Sequence, residues 1–267
     1  MTQISILGCG WLGLPLAKKL IQSGYVVKGS TTSIDKLSLL ESWNILPYEI
    51  AVFEQEIVGP IAAFLDKSAV LIIDIPPKIR GIGGEDFVSK IQQLIPHIEQ
   101  SSVSNVVFVS STSVYADTNE IITEDIIHEP TTESGRQLLA SENVLKSNPN
   151  FSKTIVRFGG LIGQDRHPIQ FLAGRKNIEN PLAPINLIHL EDCIGVLESI
   201  IKQGCWGETF NAVTPFHPSR EDYYTKKARE LHIELPEFNA DSASNGKTIS
   251  SDKIQQVLNY SFKINPL

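Results

Sequence analysis

Three glycines near the start of the chain constrain the fold more than any other feature. The segment Gly8-Cys-Gly-Trp-Leu-Gly13 has the spacing GxGxxG and directly follows the apolar run Ile4–Leu7. A helical pattern over Leu12–Ser23 begins inside the motif. A glycine motif alone is weak evidence, but one placed between a strand and a helix predicts the phosphate-binding turn of a dinucleotide-binding domain.

Each glycine of the motif is expected to serve a different purpose. Gly8 permits a tight turn, Gly10 lets the backbone approach a pyrophosphate, and Gly13 allows close packing of helix on strand. The helix N-terminus offers amide donors and a positive dipole end to phosphates. We therefore expect Trp11 and Leu12, with the three glycines, to contact the dinucleotide; the alternative is a glycine-rich turn that binds nothing.

Strands and helices alternate over roughly the first 160 residues, by apolar pattern. The predicted strands are Ile4–Leu7, Tyr25–Lys28, Ala69–Ile75, Val106–Val109 and Thr154–Phe158, and the clearest helices are Leu12–Ser23, Asp86–Glu99 and Arg136–Lys146. The run Val70–Ile73 has no polar face, as expected when helices cover both faces of a parallel sheet. This alternation predicts an α/β Rossmann fold, a doubly wound parallel sheet with helices on both faces.

The pattern loosens after Gly163, where prolines become frequent. We predict a dinucleotide-binding Rossmann domain over residues 1–163 and a smaller C-terminal substrate lobe over residues 164–267. One further strand near residues 208–213 is expected to return to the sheet. The glycine-rich segment 80–84 is expected to be either a mobile loop over the cofactor or a plain connection.

Composition excludes several classes of function. The 267 residues include only three cysteines, Cys9, Cys193 and Cys205, whose spacing matches neither a disulfide framework nor a metal site. The net charge of −7 comes with no basic run, which argues against nucleic acid as a partner. No apolar run approaches the roughly 20 residues of a membrane span, and the chain starts with a strand rather than a signal peptide. These features predict a cytoplasmic globular protein.

The end of the second predicted strand bears on which dinucleotide binds. NAD-specific sites usually have an acid here for the adenosine ribose, whereas this chain has Lys28-Gly-Ser-Thr-Thr-Ser33 and no acid before Asp35. Hydroxyls and amides donate to a 2′-phosphate, which a carboxylate would repel. We therefore predict NADP, with NAD as the alternative. The residues expected at the ribose are Ser30, Thr31, Thr32, Ser33 and Lys36; the alternative is a solvated turn.

Further stretches follow in the order of a known family. Beside the glycine motif they are Ile75-Pro-Pro77, Val109–Tyr115, Pro130–Glu142, Val156–Gly163, Ile188–Asp192 and Glu208–Asn211. Over residues 3–213 the chain resembles the extended short-chain dehydrogenase/reductases of the NAD-dependent epimerase/dehydratase type, in an atypical branch. The resemblance implies a nicotinamide cofactor, a small-molecule substrate, and cofactor contacts from Ile75, Pro76, Pro77 and Ser110.

The resemblance also implies where catalytic groups belong. Ser111 matches the residue that hydrogen-bonds the substrate oxygen, and Thr112 lies where dehydratases carry an acid. The family's Tyr-x-x-x-Lys pair would occupy positions 134 and 138, which hold Ser134 and Leu138. Serine has no comparable acidity and leucine supplies no charge, so a general acid/base worth about 10²–10⁴-fold in rate is missing.

Other polar groups near these motifs are candidates for the missing roles. They are Tyr115 and Ser134 for proton transfer, and Arg136, Arg157, Arg166 and His189 for the substrate. Tyr115 has a structural alternative in packing at the strand end, Arg157 in an ion pair, and His189 in starting a helix. The cations of the C-terminal part are compatible with an acidic or phosphorylated substrate or with a solvated loop.

Two hypotheses of different class follow. The first is an atypical NAD(P)-dependent oxidoreductase or epimerase-like enzyme that uses Ser111 and an unconventional acid/base on a small polar substrate. The second is a non-catalytic dinucleotide-binding sensor or partner-binding module. The missing tyrosine and lysine favour the second, and the glycine motif with Ser111 supports the first. A monomer and a homodimer are both open.

Overall fold

The fold comes from a computed structural model that describes residues 1–77, 85–126 and 128–265. The predicted loop 80–84 lies outside the described residues. The strands are β1 Gln3–Leu7, β2 Val26–Thr31, β3 Leu46–Glu49, β4 Ala51–Val52, β5 Ile57–Val58, β6 Val70–Ile73, β7 Asn105–Ser111, β8 Ile121–Ile122, β9 Ser152–Phe158, β10 Gly160–Ile162, β11 Leu187–His189, β12 Thr209–Ala212 and β13 Thr248–Ile249. The helices are α1 Gly13–Gln22, α2 Leu37–Ser42, α3 Ile61–Leu65, α4 Phe87–Glu99, α5 Glu133–Ser147, α6 Leu190–Gln203, α7 Arg220–Glu230 and α8 Asp252–Leu258.

Seven of these strands form one parallel sheet in the order β3-β2-β1-β6-β7-β9-β12. Alternate residues of each central strand face opposite cores. In β6, Val70 and Ile72 pack with α1 and α6, whereas Leu71 and Ile73 pack with α3, α4 and α5. The prediction of a doubly wound parallel sheet with helices on both faces is confirmed. The strand order reverses between β1 and β6, where such sheets open a binding crevice.

The third strand along the chain, β3, is absent from the sequence-based prediction. It lies at the sheet edge, where Leu46 and Glu49 are exposed, and it contains Pro47, which lacks a donor for the ladder. Its sequence therefore lacks the continuous apolar run of a central strand. The α5 helix begins at Glu133, earlier than predicted, because the Thr132 hydroxyl accepts a hydrogen bond from the Gly135 amide at 3.1 Å.

Residues after Gly163 contribute to the cores on both faces of the sheet and to a third, smaller core. The α6 helix packs against α1, and β12 pairs with β9 at the end of the main sheet. The α7 helix instead covers a small separate core that includes Ile169, Leu187 and Tyr223. The division of the chain at residue 163 therefore stays a prediction. Within the part of the chain that the structure describes, no helix combines the length and apolar character that a bilayer crossing requires.

A buried ion pair connects α5 to the sheet. Glu142 is fully buried, and its carboxylate lies 2.6 Å from Nη2 of buried Arg157 on β9. The hydroxyl of Ser110 donates to the same carboxylate at 2.7 Å. Arg157 also donates to the hydroxyl of Tyr115, which donates in turn to Asn211 on β12 at 2.8 Å. One polar network thus joins α5, β7, β9 and β12.

We predict that Glu142→Gln lowers the free energy of unfolding by roughly 3–5 kcal/mol, because the Arg157 guanidinium then stays buried without its carboxylate. Urea unfolding of the wild type, both single variants and the double variant Glu142→Gln with Arg157→Met measures the coupling. The double variant should lose less than the sum of the single losses. Strictly additive losses would contradict a coupled pair.

Candidate functional site

The glycine loop between β1 and α1 has two packed glycines and one open one. Gly8 has φ +108°, and a Cβ at this position would collide with the Asp74 carbonyl. A Cβ at Gly13 would collide with the carbonyl oxygen of Gly8. A Cβ at Gly10 would meet no heavy atom of the residues that the structure describes within 4 Å. Packing of the protein itself therefore requires Gly8 and Gly13, whereas Gly10 borders free space that a ligand could fill.

Neighbouring strand β2 holds this loop in place. The Gly8 amide donates to the Ser30 hydroxyl at 2.9 Å, and the Cys9 amide donates to the Ser30 carbonyl at 2.7 Å. Ser30 is buried, so its hydroxyl is used by the loop rather than offered to a ribose. Lys28 is also buried and donates to the carbonyls of Ala63 and Asp66, both at 2.7 Å.

The remaining residues at the end of β2 stay available to a ligand. Thr32 and Lys36 are exposed, and Thr31 and Ser33 are partly exposed. The Thr31 hydroxyl accepts a hydrogen bond from the Ser33 amide at 3.2 Å, which shapes the turn. A group with several hydroxyls and one ammonium at this position provides donors for a phosphate.

A cleft of about 280 Å³ opens at the carboxyl ends of β1, β6 and β7. It brings together half of the residues that the sequence assigned to the cofactor, beside two of the catalytic and substrate candidates. Its lining consists of Gly10, Trp11, Leu12, Asp74, Ile75, Pro76, Pro77, Val109, Ser110, Ser111, Leu138, Leu161 and Arg166. This composition combines a phosphate-binding turn, apolar walls and a few polar groups, as expected of a cofactor site.

The positions of the catalytic pair lie beside this cleft. Leu138 is buried and lines the cleft, so it presents an apolar wall at the position where the resemblance implies an ammonium group. Ser134 is partly exposed in the first turn of α5, outside the cleft lining that the structure describes. Ser111 lines the cleft, and its hydroxyl accepts a hydrogen bond from the Ser113 amide at 3.2 Å. Thr112 is buried in the 3₁₀ turn that follows.

Two other candidates face away from the cleft. Tyr115 and Arg157 line a separate cavity of about 390 Å³, bordered by α5 and the segment around Glu124. Burial raises the pKa of the Tyr115 hydroxyl, although Arg157 opposes this effect. Both side chains are held by the buried network. Tyr115 packs at the end of its strand and Arg157 forms an ion pair, which are the structural alternatives named for them above. Neither contributes to the cleft.

The last substrate candidates have local roles. Arg136 is exposed and forms an ion pair with Glu133, with Nε 3.0 Å from the carboxylate. His189 precedes α6, and its Nδ1 accepts a hydrogen bond from the Glu191 amide at 3.3 Å. Asp192 is fully buried and accepts hydrogen bonds from the Tyr260 hydroxyl and from backbone amides 263 and 264. Asp192 therefore anchors the C-terminal segment.

Asp74 is a cleft residue that the sequence-based reasoning missed. It directly follows β6, and its carboxyl lies close to Gly13 at the start of α1, where the Gly13 amide favours the ionised form. Burial raises the pKa of Asp74 to about 7, against the smaller opposing effect of that amide. The available signal was an acid that ends an apolar strand paired with β1, the strand of the glycine loop.

We predict that Asp74→Asn stabilises the protein at pH 8 by on the order of 1–2 kcal/mol, allowing for partial exposure. In wild type, protonation of Asp74 favours the folded state fully below the unfolded pKa of about 3.9, and this contribution is lost as pH rises through about 7. Asparagine is close to aspartic acid in size and does not ionise. Thermal denaturation from pH 4 to 8 should show a difference that grows with pH, and a constant difference would contradict the assignment.

Comparison with known proteins gives relatives of similar length. No protein-family model matches the chain. Protein YeeZ of Escherichia coli (strain K12) is 34% identical over 267 residues, which covers 98% of this chain and 96% of that protein.

Solved structures with the same fold are more distant in sequence. A functionally unknown conserved protein from Silicibacter pomeroyi is 22% identical, with a TM-score of 0.80 over 98% of this chain and 94% of that one. UDP-glucuronic acid 4-epimerase from Bacillus cereus, solved in complex with NAD, is 17% identical, with a TM-score of 0.83 over 99% and 93%. The chain belongs to the family of Protein YeeZ and has the short-chain dehydrogenase/reductase fold of the epimerase/dehydratase-like proteins, as the resemblance implied.

Proposed function

We propose that the protein binds a nicotinamide dinucleotide in the cleft at the ends of β1, β6 and β7, with NADP(H) preferred over NAD(H). The observation that carries this proposal is the open space at Gly10, in a loop whose other two glycines are fully packed. Free space beside the N-terminus of a ten-residue helix suits a diphosphate. The epimerase from Bacillus cereus, which shares the fold, was solved with NAD.

The residues that would hold the dinucleotide come from three segments. The backbone at Gly10, Trp11 and Leu12 would bind the diphosphate, and Ile75–Pro77 would line the neighbouring wall. The exposed donors at the end of β2 would bind a 2′-phosphate. When bound, the dinucleotide supplies a hydride donor or acceptor at its nicotinamide ring.

The cleft favours binding without the family's usual proton transfer. Leu138 is apolar and has no group that could donate or accept a proton. The Tyr115 hydroxyl is hydrogen-bonded within the buried network. We therefore propose a dinucleotide-binding protein that does not carry out the conventional reaction, such as a sensor of cofactor occupancy. In a cytoplasmic setting, which the three free thiols support, it would respond to the cofactor's redox state.

Ser111 supports a second candidate function. Its hydroxyl lines the cleft beside Leu138, where it would donate a hydrogen bond to the oxygen of a small polar substrate. An atypical oxidoreductase would then take its proton from water or from an unconventional group. Arg166, also in the cleft, suits an acidic or phosphorylated ligand.

We expect calorimetric titration to give a dissociation constant for NADPH about tenfold or more below that for NADH, since a charge-assisted hydrogen bond to the 2′-phosphate contributes about 1.5–3 kcal/mol. Thr32→Asp should remove or reverse the preference for NADPH, because its carboxylate would repel the 2′-phosphate. Thr32→Val should only reduce this preference. A preference of the wild type for NADH would contradict the assignment of the β2 turn.

The variant Gly10→Val is the matched test of the glycine loop. A Cβ at this position meets no heavy atom of the described residues within 4 Å, so the melting temperature should stay close to that of the wild type. Binding of both cofactors should be lost, because the side chain occupies the space that the diphosphate needs. Unchanged affinity in this variant, or no binding of either cofactor by the wild type, would refute the proposed site.

We predict no appreciable turnover of nucleotide sugars or simple ketones by the wild type, because Ser134 and Leu138 cannot replace the tyrosine and lysine. The double variant Ser134→Tyr with Leu138→Lys should gain measurable reductase activity, followed as NADPH oxidation. Single variants serve as controls and should gain less. NADPH consumption by the wild type that is lost in Ser111→Ala but kept in Ser134→Ala would support the oxidoreductase instead.

A further inference from the structure

A cation from the C-terminal part of the chain lies at the mouth of the cleft. Arg166 lines the cleft beside Gly10 and Trp11, and its guanidinium carbon lies 5.0 Å from the centre of the Trp11 ring. Among the described lining residues Arg166 is the only cation and Asp74 the only acid. No carboxylate of the described residues lies within 4.0 Å of its guanidinium. The arginine is therefore free to bind an external anion.

The turn that carries Arg166 is fastened to the glycine loop. Backbone hydrogen bonds between Gly163 and Arg166 close the turn in both directions, at 2.8 and 3.2 Å. The Trp11 indole donates to the Asp165 carboxylate at 2.9 Å. A Cβ at Gly163 would lie 2.9 Å from the same indole. The turn thus contacts both the edge and the face of the Trp11 ring. These contacts restrict the position of the Arg166 guanidinium before a ligand binds.

The negative charge of a bound diphosphate would require a cation in the cleft. A dinucleotide diphosphate carries two negative charges, and the N-terminus of α1 offers the equivalent of about half a positive charge. The segment Gly8–Gly13 contains no basic residue, and Asp74 adds a carboxyl beneath the loop. Backbone amides alone would therefore leave most of the diphosphate charge without a counterion in a partly enclosed cleft.

We propose that Arg166 binds the diphosphate of the dinucleotide across the glycine loop, so that the cofactor is held by both parts of the chain. This inference rests on the proposed function. Arginine is suited to the role because its planar guanidinium presents two parallel donors to phosphate oxygens and stacks on an aromatic ring. The same chemistry would bind a phosphate of the substrate, so the experiment separates these two sources.

The test compares wild type, Arg166→Gln, Arg166→Lys and Arg136→Gln by calorimetric titration. The probes are NADPH, ADP-ribose, which contains the diphosphate, and adenosine 2′-monophosphate, which lacks it. We expect Arg166→Gln to lower the affinity for NADPH and for ADP-ribose about 10- to 100-fold. The affinity for adenosine 2′-monophosphate should stay unchanged. Arg166→Lys should be intermediate. Arg136 is an exposed arginine outside the cleft, so Arg136→Gln should bind all three probes as the wild type does.

Two results would overturn this inference, and they differ from each other. Wild-type affinity of Arg166→Gln for ADP-ribose would assign the arginine to a second ligand and leave the proposed function intact. Absence of NADPH binding by the wild type would overturn both. Melting temperatures of the variants serve as the fold control, and exposed Arg166 should tolerate substitution without a large shift.

Discussion

Close packing of the glycine loop against its neighbours is the constraint on which the rest of the site depends. The carbonyl of Gly8 fills the space where Gly13 would have a side chain, and the carbonyl of Asp74 fills the corresponding space at Gly8. These contacts bring the start of α1 against the ends of β1 and β6. Ser30 on β2 also fixes the loop, because its hydroxyl accepts a hydrogen bond from the Gly8 amide. Of the three glycines, Gly10 alone faces space that the described residues leave open, so the loop points its free backbone into the cleft.

A second constraint acts on the other side of the sheet. The buried pair of Glu142 and Arg157 fixes α5 to β9, and Ser110 joins the pair to the strand that lines the cleft. This network holds α5 in position, with Ser134 and Leu138 where the resemblance implies a tyrosine and a lysine. Leu138 therefore forms a well-placed apolar wall. The fold of the epimerase/dehydratase-like proteins is retained, while Ser134 and Leu138 stand where the resemblance implies the groups for proton transfer.

Much of the fold could be predicted from the sequence, because buried parallel strands require apolar runs such as Val70–Ile73 and the glycine motif requires a particular turn. The edge strand Leu46–Glu49 was missed since an edge needs no such run. The direction in which a side chain points was harder to predict than the element that carries it. Tyr115 follows the cleft strand yet faces a different cavity, and Ser30 supports the loop from inside. Asp74 escaped notice because a single acid after a strand has no distinctive pattern.

The central claim is that the glycine loop and Arg166 together enclose the diphosphate of a nicotinamide dinucleotide. A crystal structure of the protein grown with NADPH tests this most directly. The account predicts that the diphosphate lies over Gly10 at the start of α1, within hydrogen-bond distance of the Arg166 guanidinium. A dinucleotide bound elsewhere, or one in the cleft whose diphosphate faces away from Gly10, would contradict it.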